Sequence, residues 1–361
     1  MAPSGHTGDV PPAAERSRWW GLDRRQTILA LLGAALVSAL AVAVVNLAGS
    51  GGSDTPARPE VWVFGTKTVA APPSLLGTRP VPGTAFGSVV GAPGRVWMYE
   101  PVTGQLGSYG SATSSIELLP RPPRGRTHPS TALPLIAPTP GSLWLAPSPG
   151  ELASYDLAKE RVTRRVTTDT DATASAVVTA GDRVVTAADT PAGIVVHVLD
   201  PGNGAVERSA TLPGIGALHG LAADRDSVWV LGDAHVTRLT AATLRVATDV
   251  ALAPGDGAVG GAVAALGDVY LLRGADQLVR VGPDGTARVV SQLRGTGNWP
   301  PVRNASLATG AGQVYALVPD GVNAQDESGR LLGYDARLGR ATRALEFSSA
   351  FFAGGIAFSS R

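Results

Sequence analysis

A three-residue motif with an apolar start and an aromatic centre returns along this chain at a nearly fixed interval. It stands at Val61-Trp62-Val63, Val96-Trp97-Met98, Leu143-Trp144-Leu145, Val228-Trp229-Val230, Val269-Tyr270-Leu271 and Val314-Tyr315-Ala316. Val184-Val185-Thr186 fills the one long gap. Successive centres lie 35, 47, 41, 44, 41 and 45 residues apart, a mean of about 42. A strand-rich unit of this length cannot cover both faces of its own sheet. Units of this period therefore stack, and four-stranded propeller blades have this length.

The register extends beyond the motif. Gly104–Gly110 aligns with Gly150–Asp156, each following its tryptophan at nearly the same distance. Turns such as Pro101-Val102-Thr103-Gly104 and Pro147-Ser148-Pro149-Gly150 separate the two strands and carry hairpin chemistry. A further strand follows, as in Arg161–Val166, Arg245–Val250 and Thr286–Val290. Of the 13 Trp and Tyr residues, nine occupy the two equivalent aromatic positions, so the repeat exceeds chance.

A strand of small residues precedes each aromatic strand, as in Ser88-Val89-Val90, Ala176-Val177-Val178, Gly220-Leu221-Ala222, Ala262-Val263-Ala264 and Ser306-Leu307-Ala308. Small side chains suit the crowded axis of a propeller. The chain ends on one more such strand, Gly354–Ser359, with no aromatic strand after it, whereas Trp62 has no small-residue strand before it. The two ends complement each other. The expected fold is all-β, a seven-bladed β-propeller closed by the C-terminal strand, with no exposed sheet edge left at the seam. A β-sandwich or a solenoid fits this end pattern less well.

The passage Gly220-Leu221-Ala222-Ala223-Asp224 followed by Asp226-Ser227-Val228-Trp229-Val230, and the turn Leu199-Asp200-Pro201-Gly202-Asn203-Gly204, resemble the repeats of the YVTN, PQQ-like and streptogramin-lyase-like seven-bladed propellers. The resemblance covers about residues 60–361. It implies the fold and leaves function open, because propellers host many functions.

Composition narrows the setting. The chain of 361 residues has no cysteine, which excludes disulfides, thiolate metal sites and cysteine nucleophiles. Only Lys67 and Lys159 are lysines, and the Ala, Gly, Pro, Val and Arg usage resembles GC-rich coding of the actinobacterial kind. Four arginines and three acids lie in the first 26 residues, so 26 bases and 26 acids remain in the body. A neutral body lacks the field that nucleic-acid binding needs.

Thr27–Leu47 is a 21-residue stretch without a charge, long enough to cross a bilayer core as one transmembrane helix. Arg24 and Arg25 precede it, and no positive excess follows. The positive-inside rule makes residues 1–26 a short cytoplasmic tail, 27–48 the transmembrane helix, 49–59 a Gly/Ser/Pro linker and 60–361 an extracytoplasmic propeller. A cleaved signal peptide is the rival reading, and its apolar region would be shorter. The expected location is the plasma membrane, single-pass, with the N-terminus inside.

No Gly-x-Ser-x-Gly and no His-Glu-x-x-His occurs. Gly214–Gly220 resembles a dinucleotide loop but lacks a following helix. Asp169-Thr170-Asp171 lacks the glycine and terminal glutamate of a calcium loop and reads as a capped turn. His219 directly precedes an inner strand. Streptogramin lyases use channel-side His and Glu residues with magnesium, but no matching cluster recurs here, so His219 reads as structural and no catalytic residue, metal or cofactor is expected.

Binding fits better. In a propeller the inter-blade loops share one face with the loops that follow the aromatic strands. There the sequence places Arg121, Arg124, Arg126 and His128 in one loop, Arg294, Trp299 and Arg303 in a second, and Asp320, Asp326 and Glu327 in a third. Arginine and tryptophan anchor interfaces, and arginine forks suit carboxylates and phosphates. The expected function is a non-enzymatic binding or scaffold module of the cell envelope, taking an envelope protein or an anionic wall ligand. The alternative is a lyase-like or cell-wall-active enzyme using the channel mouth.

Overall fold

The computed structural model describes residues 60–65, 68–70, 79–80, 88–92, 95–110, 115–126, 133–233, 235–252, 258–273, 277–292, 306–310, 312–319, 329–347 and 353–359. The side chains of 60–80, of 353–359 and of a few strand ends lie outside the described set. So does the proposed transmembrane segment Thr27–Leu47. Among the described residues no helix is long and apolar enough to cross a membrane.

The described residues open with β1 (Glu60–Gly65), β2 (Thr68–Ala70) and β3 (Arg79–Pro80). Six runs of four consecutive strands follow, each an antiparallel sheet in chain order. The first is β4 (Ser88–Ala92), β5 (Arg95–Glu100), β6 (Gln105–Gly110) and β7 (Ser115–Leu118). The second is β8 (Ile136–Thr139), β9 (Ser142–Ser148), β10 (Glu151–Asp156) and β11 (Arg161–Thr167). The third is β12 (Ala174–Ala180), β13 (Arg183–Thr190), β14 (Gly193–Leu199) and β15 (Val206–Leu212). The fourth is β16 (Gly220–Ala223), β17 (Ser227–Leu231), β18 (His235–Thr240) and β19 (Val246–Ala251). The fifth is β20 (Ala258–Ala265), β21 (Asp268–Arg273), β22 (Gln277–Val281) and β23 (Ala287–Gln292). The sixth is β24 (Ser306–Gly310), β25 (Gln313–Pro319), β26 (Gly329–Asp335) and β27 (Arg340–Phe347).

The last strand, β28 (Ala353–Ser359), pairs with β1 in a composite sheet of order β28-β1-β2-β3. Its register runs from Glu60 opposite Ser359 to Gly65 opposite Ala353. The expectation of seven like blades is therefore met only in part. Six blades are contiguous and described with side chains, and the composite sheet is described by backbone pairing alone. The seam differs for a physical reason: β28 from the far end of the chain pairs the edge of β1 that would otherwise be free, so the composite sheet ties the two ends of the propeller together. β28 lies beside β4 on one side and β24 on the other.

The all-β propeller architecture follows from burial. The second strand of a blade is sandwiched between two neighbouring sheets, so its apolar run is continuous. Val228, Trp229, Val230 and Leu231 are all buried, as are Val96 through Tyr99. The outermost strand faces neighbours on one side only, and β11 accordingly alternates between exposed and half-buried residues. Trp144, Trp229, Tyr155 and Tyr270 are essentially inaccessible. The inner strands approach closely: a Cβ on Gly220 would stand 3.2 Å from the Cβ of Ala262 in the next blade. Polar links cross between blades near the axis. Val177 N donates to Pro134 O (2.8 Å), Leu135 N to Ser88 Oγ (3.0 Å) and Thr179 Oγ1 to Pro138 O (3.0 Å).

Candidate functional site on the loop face

Antiparallel pairing assigns the loops to two faces. Turns joining second to third strands share one face with the inter-blade connections. Turns joining first to second and third to fourth strands occupy the other.

On the first face, the segment Pro120–Arg126 leaves β7 and is stitched to both neighbouring blades. Two buried tyrosines donate to its carbonyls: Tyr155 Oη to Pro120 O (2.7 Å) and Tyr99 Oη to Pro123 O (2.8 Å). Burial raises both phenols, Tyr155 to about 12, so each hydroxyl stays a donor at any physiological pH. Gly125 N donates to Pro101 O (2.9 Å) in the β5–β6 turn. Arg126 N donates to Pro147 O (3.0 Å) and Ser148 Oγ (3.2 Å) at the end of β9, beside the β9–β10 turn. The Arg124 stem lies across Gly104, where a Cβ would come within 2.3 Å of its Cγ. Arg121 adopts the left-handed conformation at φ 51°.

This rigid backbone presents three cations. Arg121, Arg124 and Arg126 are exposed, and none makes an ion pair among the described residues. Some arginines elsewhere are engaged: Arg280 Nε donates to Asp268 (2.7 Å), Arg165 pairs with Glu151, and Arg238 stacks on Trp229 at 5.6 Å while donating to Ser227. Others, such as Arg225 and Arg245, are exposed like the three on this segment, which is distinguished by their clustering within six residues. The backbone of this cationic segment has already met its ordering cost, so binding would have to order only the exposed arginine side chains.

The structure thus places Arg121, Arg124 and Arg126 together. His128, Arg294, Trp299, Arg303, Asp320, Asp326 and Glu327 lie outside the described residues.

The three described histidines, His197, His219 and His235, have structural partners. His219 Nε2 meets Asp233 Oδ1, and Asp233 Oδ2 accepts from Ala217 N (3.0 Å), closing an inter-blade loop onto the β17–β18 turn. These bonds hold the Asp233 carboxyl below its ordinary value of 3.8, the Ala217 amide contributing most and His219 next. A depressed folded value gives stability that is present above 3.8 and lost as pH falls through the folded value. Acid titration of thermal stability is therefore expected to show a shallower decline below pH 3.8 for Asp233→Asn than for the parent protein. Equal declines would remove this carboxylate from the account.

Sequence reasoning missed His197. Its Nε2 lies 2.9 Å from Asp169 Oδ2 and its Nδ1 2.7 Å from Ser209 Oγ. With Nε2–H donating to the carboxylate, a neutral ring accepts the Ser209 hydroxyl proton at Nδ1. His197 and Asp169 are nearly buried, so the network ties the loop after β11 to the third blade. Asp169 and His197 lie 28 residues apart, and no local pattern links them.

The opposite face holds a cavity of about 1590 Å³ between the second, third and fourth blades. Asp156, Asp200 and Asp224 line it, and each caps backbone amides of its own turn. These three carboxylates are thereby committed to holding hairpins, whereas Asp182 and Asp226, which also line the cavity, cap no turn among the described residues. Among the described residues no three His, Asp or Glu side chains form a metal-ligating group.

No protein-family model matches the sequence, and no curated protein matches it. Solved structures do match in fold. The Citrobacter koseri AztD crystal structure shares 13% identity, covers 84% of this chain and 98% of its own, and has a TM-score of 0.50. The structure of U3-55K shares 11% identity, covers 82% and 88%, and has a TM-score of 0.58. Kuenenia stuttgartiensis hydrazine synthase shares 9% identity, covers 78% and 99%, and has a TM-score of 0.55. The chain has the β-propeller fold. At these identities the likeness is one of architecture, and AztD, U3-55K and the synthase transfer no activity to this propeller.

Proposed function

We propose that this chain is a membrane-anchored propeller acting as a non-enzymatic binding or scaffold module of the cell envelope. In this reading Thr27–Leu47 crosses the bilayer, residues 1–26 stay inside, and the propeller stands outside with the composite sheet as its seventh blade. The observation that carries the binding role is the Pro120–Arg126 segment: three exposed arginines, without an ion pair among the described residues, on a backbone fixed by Tyr99, Tyr155, Pro101 and Pro147. Preorganised arginine on a loop held by a rigid scaffold is the build of a recognition surface. Uncharged length and Arg24-Arg25 support the anchor.

Two measurements test this reading. Alkaline phosphatase fused after Arg361 is expected to be active in cells, and an inactive fusion would overturn the orientation. Crosslinked capture of the full-length protein from native membranes is expected to retain a reproducible partner. The double variant Arg124→Glu, Trp299→Ala should lose that partner while keeping the parent thermal transition. Undiminished capture by the variant would sink the assignment of this face.

A further inference from the structure

The Pro120–Arg126 segment is cationic, but its immediate neighbourhood also exposes apolar side chains. Val102, in the β5–β6 turn, is 50% exposed, and Leu118, at the end of β7, is 49% exposed. Val102 shares the β5–β6 turn with Gly104, over which the Arg124 stem lies, and Leu118 precedes Arg121 by three residues. Gly125 N bonds to Pro101 O beside Val102, and Leu119 N bonds to Leu106 O beside Leu118. The other exposed large apolar residues among those described are Val206, Val246, Leu266, Val289 and Leu338. They lie in or next to turns of the opposite face, or on an outer strand. On the loop face, the large apolar side chains that are exposed among the described residues therefore stand only in the neighbourhood of these arginines.

This coincidence distinguishes ligand classes. A surface made only for a phosphate polymer has no use for apolar flanks, because polyanion binding is driven by charge and counterion release. A protein interface combines arginine with apolar contacts, and its affinity comes from desolvating both. From Arg121 to Arg126 the chain reaches at most about 18 Å, a span that a short extended peptide covers with five or six residues.

We propose that Val102, Leu118, Arg121, Arg124 and Arg126 form a docking site for an acidic segment of a partner protein, one that carries an apolar residue among its carboxylates. The proposal rests on the binding role given above and names the partner's chemistry. Carboxylates take the guanidinium forks, and the apolar residue covers Val102 and Leu118. The turns beneath are fixed, so the incoming segment is the component that orders.

The test uses the full-length protein in detergent and three fluorescent probes of matched net charge: poly-L-glutamate, a glutamate/leucine copolymer and linear polyphosphate. The copolymer is expected to bind at least tenfold tighter than poly-L-glutamate. Arg121→Glu, Arg124→Glu and Arg126→Glu together should abolish binding of both. Val102→Ser with Leu118→Ser should erase the preference for leucine and leave poly-L-glutamate binding unchanged. Unaltered thermal transitions establish that each variant is folded. Equal binding of polyphosphate and copolymer, indifferent to Val102 and Leu118, would overturn the proposal in favour of a general anion surface. Failure of all three probes would also overturn it. In that case arginine-dependent capture from membranes would still uphold the broader binding role, and its loss would remove both.

Discussion

A chain ending at Phe347 is expected to lose its cooperative unfolding transition. The residues removed include β28, which occupies the inner position of the composite sheet and pairs with β1 along its whole length. Its absence would leave β1 with a free edge and would also strip β4 and β24 of their common neighbour. Each backbone hydrogen bond contributes on the order of 1 kcal/mol net. Several such bonds together with the lost packing approach the roughly 5–15 kcal/mol that holds a domain folded. Circular dichroism on heating is the direct measurement. A synthetic peptide covering residues 348–361, added in trans, should restore the transition, because the sheet needs the strand and not its covalent link. A truncated chain that melts at the parent temperature would show that the ring tolerates an open seam.

The second large effect is expected at Gly125. A Cβ there would stand 1.6 Å from the carbonyl oxygen of Pro147 and 2.8 Å from its Cα. Both are backbone atoms of the neighbouring blade and cannot swing aside like the tip of a side chain. Gly125 N is also bonded to Pro101 O from the blade on the other side. Gly125→Ala must therefore push the segment off one turn or both. Overpacking of this kind costs on the order of 2–4 kcal/mol. The same displacement should weaken any arginine-dependent binding, although no arginine is changed. Gly141→Ala is the control. Gly141 has positive φ and nothing within 4 Å of an added Cβ. Its cost is the left-handed conformation alone, about 1 kcal/mol. Urea denaturation of the two variants separates the cases. Equal losses would mean that the contact with Pro147 relaxes cheaply.

Much of the fold was legible because propeller blades impose positional chemistry. The aromatic centres at Trp97, Trp144, Trp229 and Tyr270 are buried in second strands, where both sheet faces are covered. The small-residue strands at Ser88, Ala176, Gly220, Ala262 and Ser306 are the inner strands, where neighbouring backbones converge. Even Val185, with no aromatic ring, could be placed by interval, since β13 takes the second position in its sheet. The arginine loop was legible as a loop rich in cations between two blades. Its value as a surface was not. The tyrosine bonds to Pro120 and Pro123 come from residues up to 35 positions away in sequence. The exposure of Val102 and Leu118 beside them depends on how two turns meet. His197 was illegible for the same reason, its partners being supplied by another blade and by the strand opposite.

The sequence by itself determined the repeat, the strand order within each unit and the need for both ends to meet. Period, residue size and turn chemistry are local properties that recur with every blade. Only the tertiary structure decided which polar groups on the loop face are consumed and which remain free. His219 and Asp233 satisfy each other, whereas Arg121, Arg124 and Arg126 meet no carboxylate among the described residues. A charged side chain is paired or available according to what the adjacent blade brings within about 4 Å, and that neighbour is set by ring closure and not by the chain's own order.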